Sequence, residues 1–263
     1  NELGFDVTNA QFTEKVGTRL LFVYFDQDKE RSFTNYKGSR SDLMIEASEL
    51  DLSQIRRCKV FNYTPLSFEF DYPIAKAAEL ALAEAHSAGV MTAFDSNYRF
   101  PYEDMKVYHA VQDAIYSAQI LKLSQDDIRY FMKEENVFSA CEKLLAGNAK
   151  IVAFTMGTSG SLLYTHKGWS YRPAYRVNAL DTTGAGDSFM GALIYLLTHE
   201  TDNIEELSVL DLERIGDFCN ACAAASTMMR GSLLVMPTLP QIEHVLKTAP
   251  RIETQFDKIH KTF

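Results

Sequence analysis

The stretch Asp181-Thr-Thr-Gly-Ala-Gly-Asp187 has the composition of a loop that closes tightly, and the apolar residues 188–197 after it have a helical pattern. The start of a helix carries unpaired N–H groups and the positive end of the helix dipole. Glycine also lets an anion approach the backbone closely. The segment therefore predicts an anion site at a helix N-terminus.

Asp187 falls on the first turn of the predicted helix. From there its carboxylate can take a proton from a hydroxyl group that attacks a phosphorus atom held by the loop amides. Phosphoryl transfer to an alcohol is therefore our leading hypothesis. The structural alternative is that Asp187 and Ser188 only cap a core helix, as these residue types do at many helix starts.

The composition is that of an ordinary globular protein. The 263 residues are 46% hydrophobic and 23% charged, with a formal net charge of −9. Lys and Arg are scattered, so we expect neither nucleic acid nor an anionic membrane as a partner. The longest apolar run, residues 189–197, is far shorter than the ~20 residues that a membrane span needs. An acidic protein that binds a nucleoside triphosphate must recruit a divalent cation, which implies Mg²⁺.

The four cysteines indicate free thiols, because only Cys219 and Cys222 are closely spaced and they lie in a small-residue helical pattern. No second Cys or His pair stands at metal-binding distance from them. The sequence therefore predicts a protein of the reducing cytoplasm.

The order of elements indicates an α/β fold. A β-hairpin is predicted over residues 18–36, and strand and helix patterns then alternate from residue 59 to residue 155. A second hairpin over residues 161–172 precedes the glycine loop, and two further helices follow it. This order predicts a mainly parallel sheet with helices on both faces and ligands at the carboxyl ends of its strands.

Residues 181–189, Asp-Thr-Thr-Gly-Ala-Gly-Asp-Ser-Phe, resemble the C-terminal signature of the ribokinase-like (PfkB) carbohydrate kinases. The resemblance implies a three-layer αβα core with a small β lid. It assigns the catalytic base to Asp187 and the anion hole to the backbone of Gly184, Ala185 and Gly186. It also implies ATP and Mg²⁺ as cofactors, and a monovalent cation such as K⁺ in some relatives. The sequence contains no P-loop motif and no dinucleotide-binding glycine turn.

A polar segment, Asp95-Ser-Asn-Tyr-Arg99, follows the predicted strand 90–94. Arg99 is suited to neutralise phosphate oxygens, and Asn97 to donate a hydrogen bond to the same group. The segment resembles the Asp-Pro-Asn-x-Arg stretch of fructokinase-like and 2-keto-3-deoxygluconate-kinase-like members, with Ser96 in place of Pro. A solvated loop with a local Asx turn is the alternative.

Two further loops follow strand ends in the family order. Lys122 and Ser124 precede an acidic helix start, where Ser124 and Asp127 occupy the positions of the family's Asn-x-x-Glu. The resemblance assigns Lys122 and Ser124 to the nucleotide and Asp127 to the metal, although Asp127 is equally suited to complement a helix dipole. Residues 155–160 resemble the family's Thr-x-Gly-x-x-Gly.

By the same resemblance, nucleotide contacts are expected at Thr155, Gly157 and Gly160, and Asn220 is expected to line the adenine pocket. Glycines leave room where a ribose and phosphates pass over the backbone. The small residues around Asn220 are explained at least as well by close helix packing.

The first hairpin resembles the family lid. Arg31, Phe33 and Tyr36 are expected to contact the sugar, and relatives often form homodimers through this lid. An exposed hairpin with cross-strand aromatic packing is the alternative. Residues 1–40 would belong to the lid and its connections, and residues 41–263 to the nucleotide-binding and catalytic core. Family members normally begin with a further segment that grips the sugar, and this chain is expected to be an incomplete version lacking it.

The sequence thus predicts an ATP-dependent sugar kinase that phosphorylates a primary hydroxyl group, with fructose as the expected substrate. Alternatives within the same chemistry are a 2-keto-3-deoxygluconate kinase and a nucleoside kinase. A sugar- or nucleotide-sensing binding module is the alternative from another class, and an intact Asp187 argues against it because a sensor needs no base.

Overall fold

The computed structural model describes residues 4, 6–25, 31–35, 40–97, 102–201, 203–231, 233 and 236–254. The chain divides into two compact units, Asn1–Val90 and Met91–Phe263. Residues 255–263 lie outside the described part of the chain. No helix in the described part of the chain is long and apolar enough to cross a membrane.

The N-terminal unit begins with the predicted hairpin. Strands β1 (Leu21–Phe25) and β2 (Arg31–Asn35) pair antiparallel, with Leu21 opposite Asn35 and Phe25 opposite Arg31. This confirms the first predicted hairpin. Leu21, Phe22 and Tyr24 of β1 are exposed.

After the hairpin, the same unit contains α1 (Leu52–Arg57), β3 (Val60–Tyr63) and α2 (Pro73–Ser87). Asp51 caps α1 by accepting a hydrogen bond from the backbone N–H of Ser53 at 2.9 Å. The sequence pattern had not indicated α1, which is only six residues long. The buried contacts of this unit join α1, β3 and α2 through Leu50, Leu52, Ile55, Phe61, Ala81, Ala85 and Val90.

The C-terminal unit is built on strands arranged side by side in chain order. They are β4 (Met91–Asp95), β5 (Ile120–Ser124), β6 (Ile151–Thr155), β7 (Ser161–Thr165) and β8 (Gly168–Arg172). The first three strands are parallel, and β6, β7 and β8 pair antiparallel. The second predicted hairpin is therefore confirmed as β7 and β8.

The helices of this unit are α3 (Met105–Ser117), α4 (Gln125–Asp127), α5 (Val137–Leu145), α6 (Ala185–His199), α7 (Val209–Ser226) and α8 (Leu239–Thr248). A π-helical turn, Ile128–Met132, continues α4, and a short 3₁₀ turn, Gly157–Ser159, follows β6. Helix α6 begins three residues before the predicted helical pattern, so Asp187 lies inside its first turn. The predicted α/β class, with a mainly parallel sheet and helices on both sides, is confirmed.

The central strands are buried on both faces. Ala93, Phe94, Ile120, Leu121 and Ile151 have no exposed surface. Such continuous apolar runs are expected in strands covered on both sides, where no face alternates towards water. Because β4, β5 and β6 are parallel, their polar last residues all lie at one edge of the sheet.

Candidate active site

The loop before α6 is held in a defined conformation. Gly184 has φ of 80°, in the left-handed region, and stands at the N-cap of α6. Glycine adopts this conformation without the strain that a Cβ would cause. Asp181 braces the loop, because its carboxylate accepts hydrogen bonds from the N–H of Thr183 at 2.9 Å and of Gly231 at 3.3 Å.

The predicted anion hole is only partly open to solvent, because Gly184 is buried and Ala185 is half-buried. Gly186 and Asp187 are exposed, whereas Ser188 and Phe189 after them are buried in the core. The first N–H groups of a helix have no partner within the helix. The N–H of Ala185 donates to the carbonyl oxygen of Thr182 at 3.3 Å within the loop. The exposed backbone of Gly186 and the exposed Asp187 lie side by side at the start of α6.

A buried ion pair lies against this turn. The Lys122 ammonium, from β5, is 2.9 Å from Oδ1 of Asp95, the last residue of β4. The same ammonium is 3.3 Å from the place that a Cβ on Gly186 would occupy. Lys122 therefore packs against the backbone of Gly186, and its assignment to the nucleotide stays a prediction.

Charged groups on β4, β5 and α6 act on one another at this site. Burial raises the pKa of the Asp95 carboxyl, the Lys122 ammonium opposes that shift, and the negative charge of Asp187 adds to it. Asp187 thus acts electrostatically on the ion pair. Sequence reasoning missed Asp95 as a functional candidate, although its position at the end of a buried strand was a usable signal.

The end of β5 carries the predicted metal residue. Oδ2 of Asp127 accepts hydrogen bonds from the N–H of Ser124 at 2.6 Å and from its hydroxyl group at 2.5 Å. This is the capping arrangement offered by the structural alternative. The other oxygen, Oδ1, is buried and has no hydrogen-bond partner. That unpaired oxygen fits a role towards the water shell of Mg²⁺.

Among the residues that the structure describes, no group of three or more His, Cys, Asp or Glu side chains is arranged to hold a metal ion.

The glycine turn after β6 has two different kinds of glycine. Gly160 has φ of 101°, and a Cβ there would lie 2.1 Å from the carbonyl oxygen of Arg172. Gly157 has φ of 55° and no heavy atom within 4 Å of the Cβ position. Gly160 is therefore explained by packing, whereas Gly157 borders the open space that a ligand needs. Thr155 stands opposite Ser124 in the ladder between β5 and β6.

Asn220 has a structural role in this fold. It is buried on α7, and its side-chain amide donates to the carbonyl oxygens of Arg172 at 2.9 Å and Pro173 at 3.5 Å. These bonds fix α7 to the end of β8, which supports the packing alternative for the small-residue helix. Its assignment to the adenine pocket stays a prediction.

The segment after β4 forms the Asx turn that was the alternative for it. Oδ1 of Asp95 accepts a hydrogen bond from the N–H of Asn97 at 3.0 Å, and Asn97 itself is exposed with φ of 38°. Arg99 and Tyr36 lie outside the described residues. Arg31 and Phe33 belong to β2, and their side chains are also outside the described part of the chain.

Comparison with known proteins adds to this geometry. The sequence model of a family described as "pfkB family carbohydrate kinase" matches residues 1–239. The protein named probable fructokinase-5 of Arabidopsis thaliana is 30% identical to this chain over 244 residues, which cover 90% of this chain and 73% of that protein.

Two solved structures share the fold. Fructokinase with bound ATP from Xylella fastidiosa gives a TM-score of 0.77 at 23% identity, covering 89% of this chain and 75% of its own. A fructokinase double mutant from Vibrio cholerae O395, bound to fructose, ADP and a potassium ion, gives a TM-score of 0.78 at 19% identity, covering 92% of this chain and 77% of its own. These likenesses agree with the ribokinase-like architecture expected from the signature.

Proposed function

The chain belongs to the pfkB family of carbohydrate kinases, and on that premise we propose that it transfers the γ-phosphoryl group of ATP to a primary hydroxyl group of fructose. The observation that carries the proposal is the exposed Asp187 carboxylate beside the exposed backbone of Gly186 in the first turn of α6. Relatives named fructokinase support the choice of sugar.

In the proposed reaction, the hydroxyl oxygen of the sugar bonds to the γ-phosphorus, and Asp187 accepts the proton that this hydroxyl group loses. The bond from that phosphorus to the bridging oxygen of ADP breaks, and ADP leaves with the electron pair. The N–H groups of Gly184, Ala185 and Gly186 stabilise the negative charge on the transferring group. Mg²⁺, when bound, neutralises β- and γ-phosphate oxygens, and Asp127 would orient its water shell.

Other residues are proposed to bind the nucleotide. Lys122 would contact the phosphates beside Gly186, and Asn97 would contact them from the loop after β4. Arg99 would act in catalysis by helping to hold the transferring γ-phosphoryl group in line. Ser124 and Thr155 lie at the ends of neighbouring strands, and Gly157 and Gly160 form the turn that would pass beneath the ribose. Asn220 would lie beside the adenine. A potassium-type ion near the backbone of Asp181 is part of the proposal.

The lid proposal rests on the first hairpin. Arg31, Phe33 and Tyr36 would contact the sugar, and residues 1–40 would form the lid and its connections. The exposed apolar side chains of β1 suit a homodimer formed through this hairpin, because pairing of two copies would shield them from water. We place the enzyme in the cytoplasm.

The proposal is tested by measuring ADP formation by the purified protein in the presence of ATP and Mg²⁺. The acceptors to compare are fructose, 2-keto-3-deoxygluconate, ribose and adenosine. We expect the highest kcat/KM with fructose. Preference for 2-keto-3-deoxygluconate would reassign the substrate, and preference for adenosine would indicate a nucleoside kinase. Binding of ATP without ADP formation from any acceptor would indicate a binding module and overturn the proposed activity.

A further inference from the structure

The Asp95–Lys122 ion pair is buried, which is unfavourable in free energy. The two residues stand opposite each other in the parallel ladder between β4 and β5, and more than nine-tenths of each is buried. Moving two charges out of water is unfavourable, and an apolar pair of similar size is often at least as stable. The fold therefore has no need of this pair for stability alone.

The Lys122 ammonium lies between Asp95 and the proposed anion hole at the start of α6. Oδ1 of Asp95 holds the Lys122 ammonium at 2.9 Å and also accepts the N–H of Asn97 at 3.0 Å, which fixes the carboxylate. The ammonium in turn contacts the first turn of α6, at 3.3 Å from the Cβ position of Gly186. Only glycine at position 186 leaves the ammonium in place without crowding it.

Resting on the proposed function, we propose that Asp95 is a positioning residue that holds the Lys122 ammonium against the first turn of α6. The ammonium then adds a fixed positive charge beneath the N–H groups that receive the transferring phosphoryl group. A positive charge that needs no rearrangement during the reaction is an effective way to stabilise developing negative charge.

The removal of Asp95 should act through Lys122. Asp95→Asn removes the carboxylate that holds the ammonium at 2.9 Å, so the ammonium is no longer fixed against the first turn of α6. The loss of Asp95 should therefore weaken the contribution of Lys122 to phosphate binding while the backbone of the loop is unchanged.

Dissociation constants for ATP and for adenosine, measured by calorimetry, test this role in Asp95→Asn, Lys122→Met and the double variant. We expect ATP to bind each single variant ~10- to 100-fold more weakly, the usual value of a charged hydrogen bond. Adenosine, which has no phosphates, should bind all variants alike. The double variant should bind ATP no more weakly than Lys122→Met, because Asp95 has no effect once the lysine is gone.

The comparison of ATP with adenosine gives a readout that a purely structural role would not change, because a general loss of folding would weaken the binding of both ligands alike. Gly186→Ala leaves both charges in place but pushes the ammonium away, and it should also weaken ATP binding with adenosine unaffected. Lys247→Met, an exposed lysine on α8, is the control.

Three results would overturn the proposal: additive losses in the double variant, unchanged ATP affinity in Asp95→Asn, or an equal loss of adenosine binding. Thermal unfolding checks that each variant is folded, and the double variant and Gly186→Ala avoid an unpaired buried charge. A parent that binds ATP but phosphorylates no sugar rejects the proposed function and leaves these binding measurements valid. A parent that binds no ATP overturns both.

Discussion

The guanidinium group of Arg172 holds the carboxylate of Asp217 by two parallel hydrogen bonds, from Nε to Oδ1 at 2.6 Å and from Nη2 to Oδ2 at 2.7 Å. The pair joins the end of β8 to α7. Arg251, near the C-terminus, contacts the same carboxylate at 2.6 Å and stacks on the ring of Tyr175 at 3.8 Å. Asp217 therefore ties three separate segments together.

Asp217→Asn should lower the free energy of unfolding by about 2 kcal/mol, because it breaks a bidentate pair and leaves two arginines without their shared partner. Urea unfolding measures this change. Glu213→Gln is the matched control, since Glu213 is 3.8 Å from the same Arg172 and its side chain is 42% exposed. That variant should lose less than about 0.5 kcal/mol. Equal losses from both would contradict the importance of the bidentate geometry.

Gly160→Ala should destabilise the protein by at least about 3 kcal/mol, because its positive φ strains any Cβ and the new atom meets the Arg172 backbone. Gly191→Ala provides the contrast. Gly191 lies within α6 with no atom near its Cβ position, so alanine there should add roughly 0.5–1 kcal/mol through helix propensity. Thermal melting of both variants checks the opposite signs, and a stable Gly160→Ala variant would show that the turn relaxes.

Asp187→Asn should lower kcat for fructose phosphorylation by at least ~10²-fold, the usual contribution of a positioned general base. The dissociation constant for ATP should change little, because the backbone donors remain. Asp113→Asn is the control, as Asp113 is an exposed acid on α3. Similar kcat values for Asp187→Asn and the parent would reject Asp187 as the base.

Alkylation with iodoacetamide should distinguish Cys58 from the other cysteines. Cys58 is exposed, whereas Cys141, Cys219 and Cys222 are buried. Burial raises the pKa of Cys141 and Cys222 to about 12 and that of Cys219 well above its ordinary value, so these thiols stay protonated at pH 8. Peptide mass spectrometry of the native protein should find label at Cys58 alone, and label at all four after denaturation. Rapid native labelling of Cys222 would contradict the buried arrangement of α7.

Much of the fold was predictable because its signals are local. The apolar runs of β4, β5 and β6 and the helix start at Asp187 depend on residues within a few positions of each other. The short helix α1 was missed, because six residues give too little periodicity to recognise. The structure also showed the local alternative at Asp127, which caps a helix start with one oxygen and leaves the other unpaired. Its role towards a metal stays a prediction.

The sequence by itself determined the glycine loop, the acid on the first turn of α6 and the family to which these residues point. Only the tertiary structure decided that Lys122 reaches both Asp95 and Gly186, and that Asn220 binds the end of β8. The physical reason is distance along the chain. Caps and turns are settled by neighbouring residues, whereas these contacts depend on strand register and helix packing, which a local pattern does not specify.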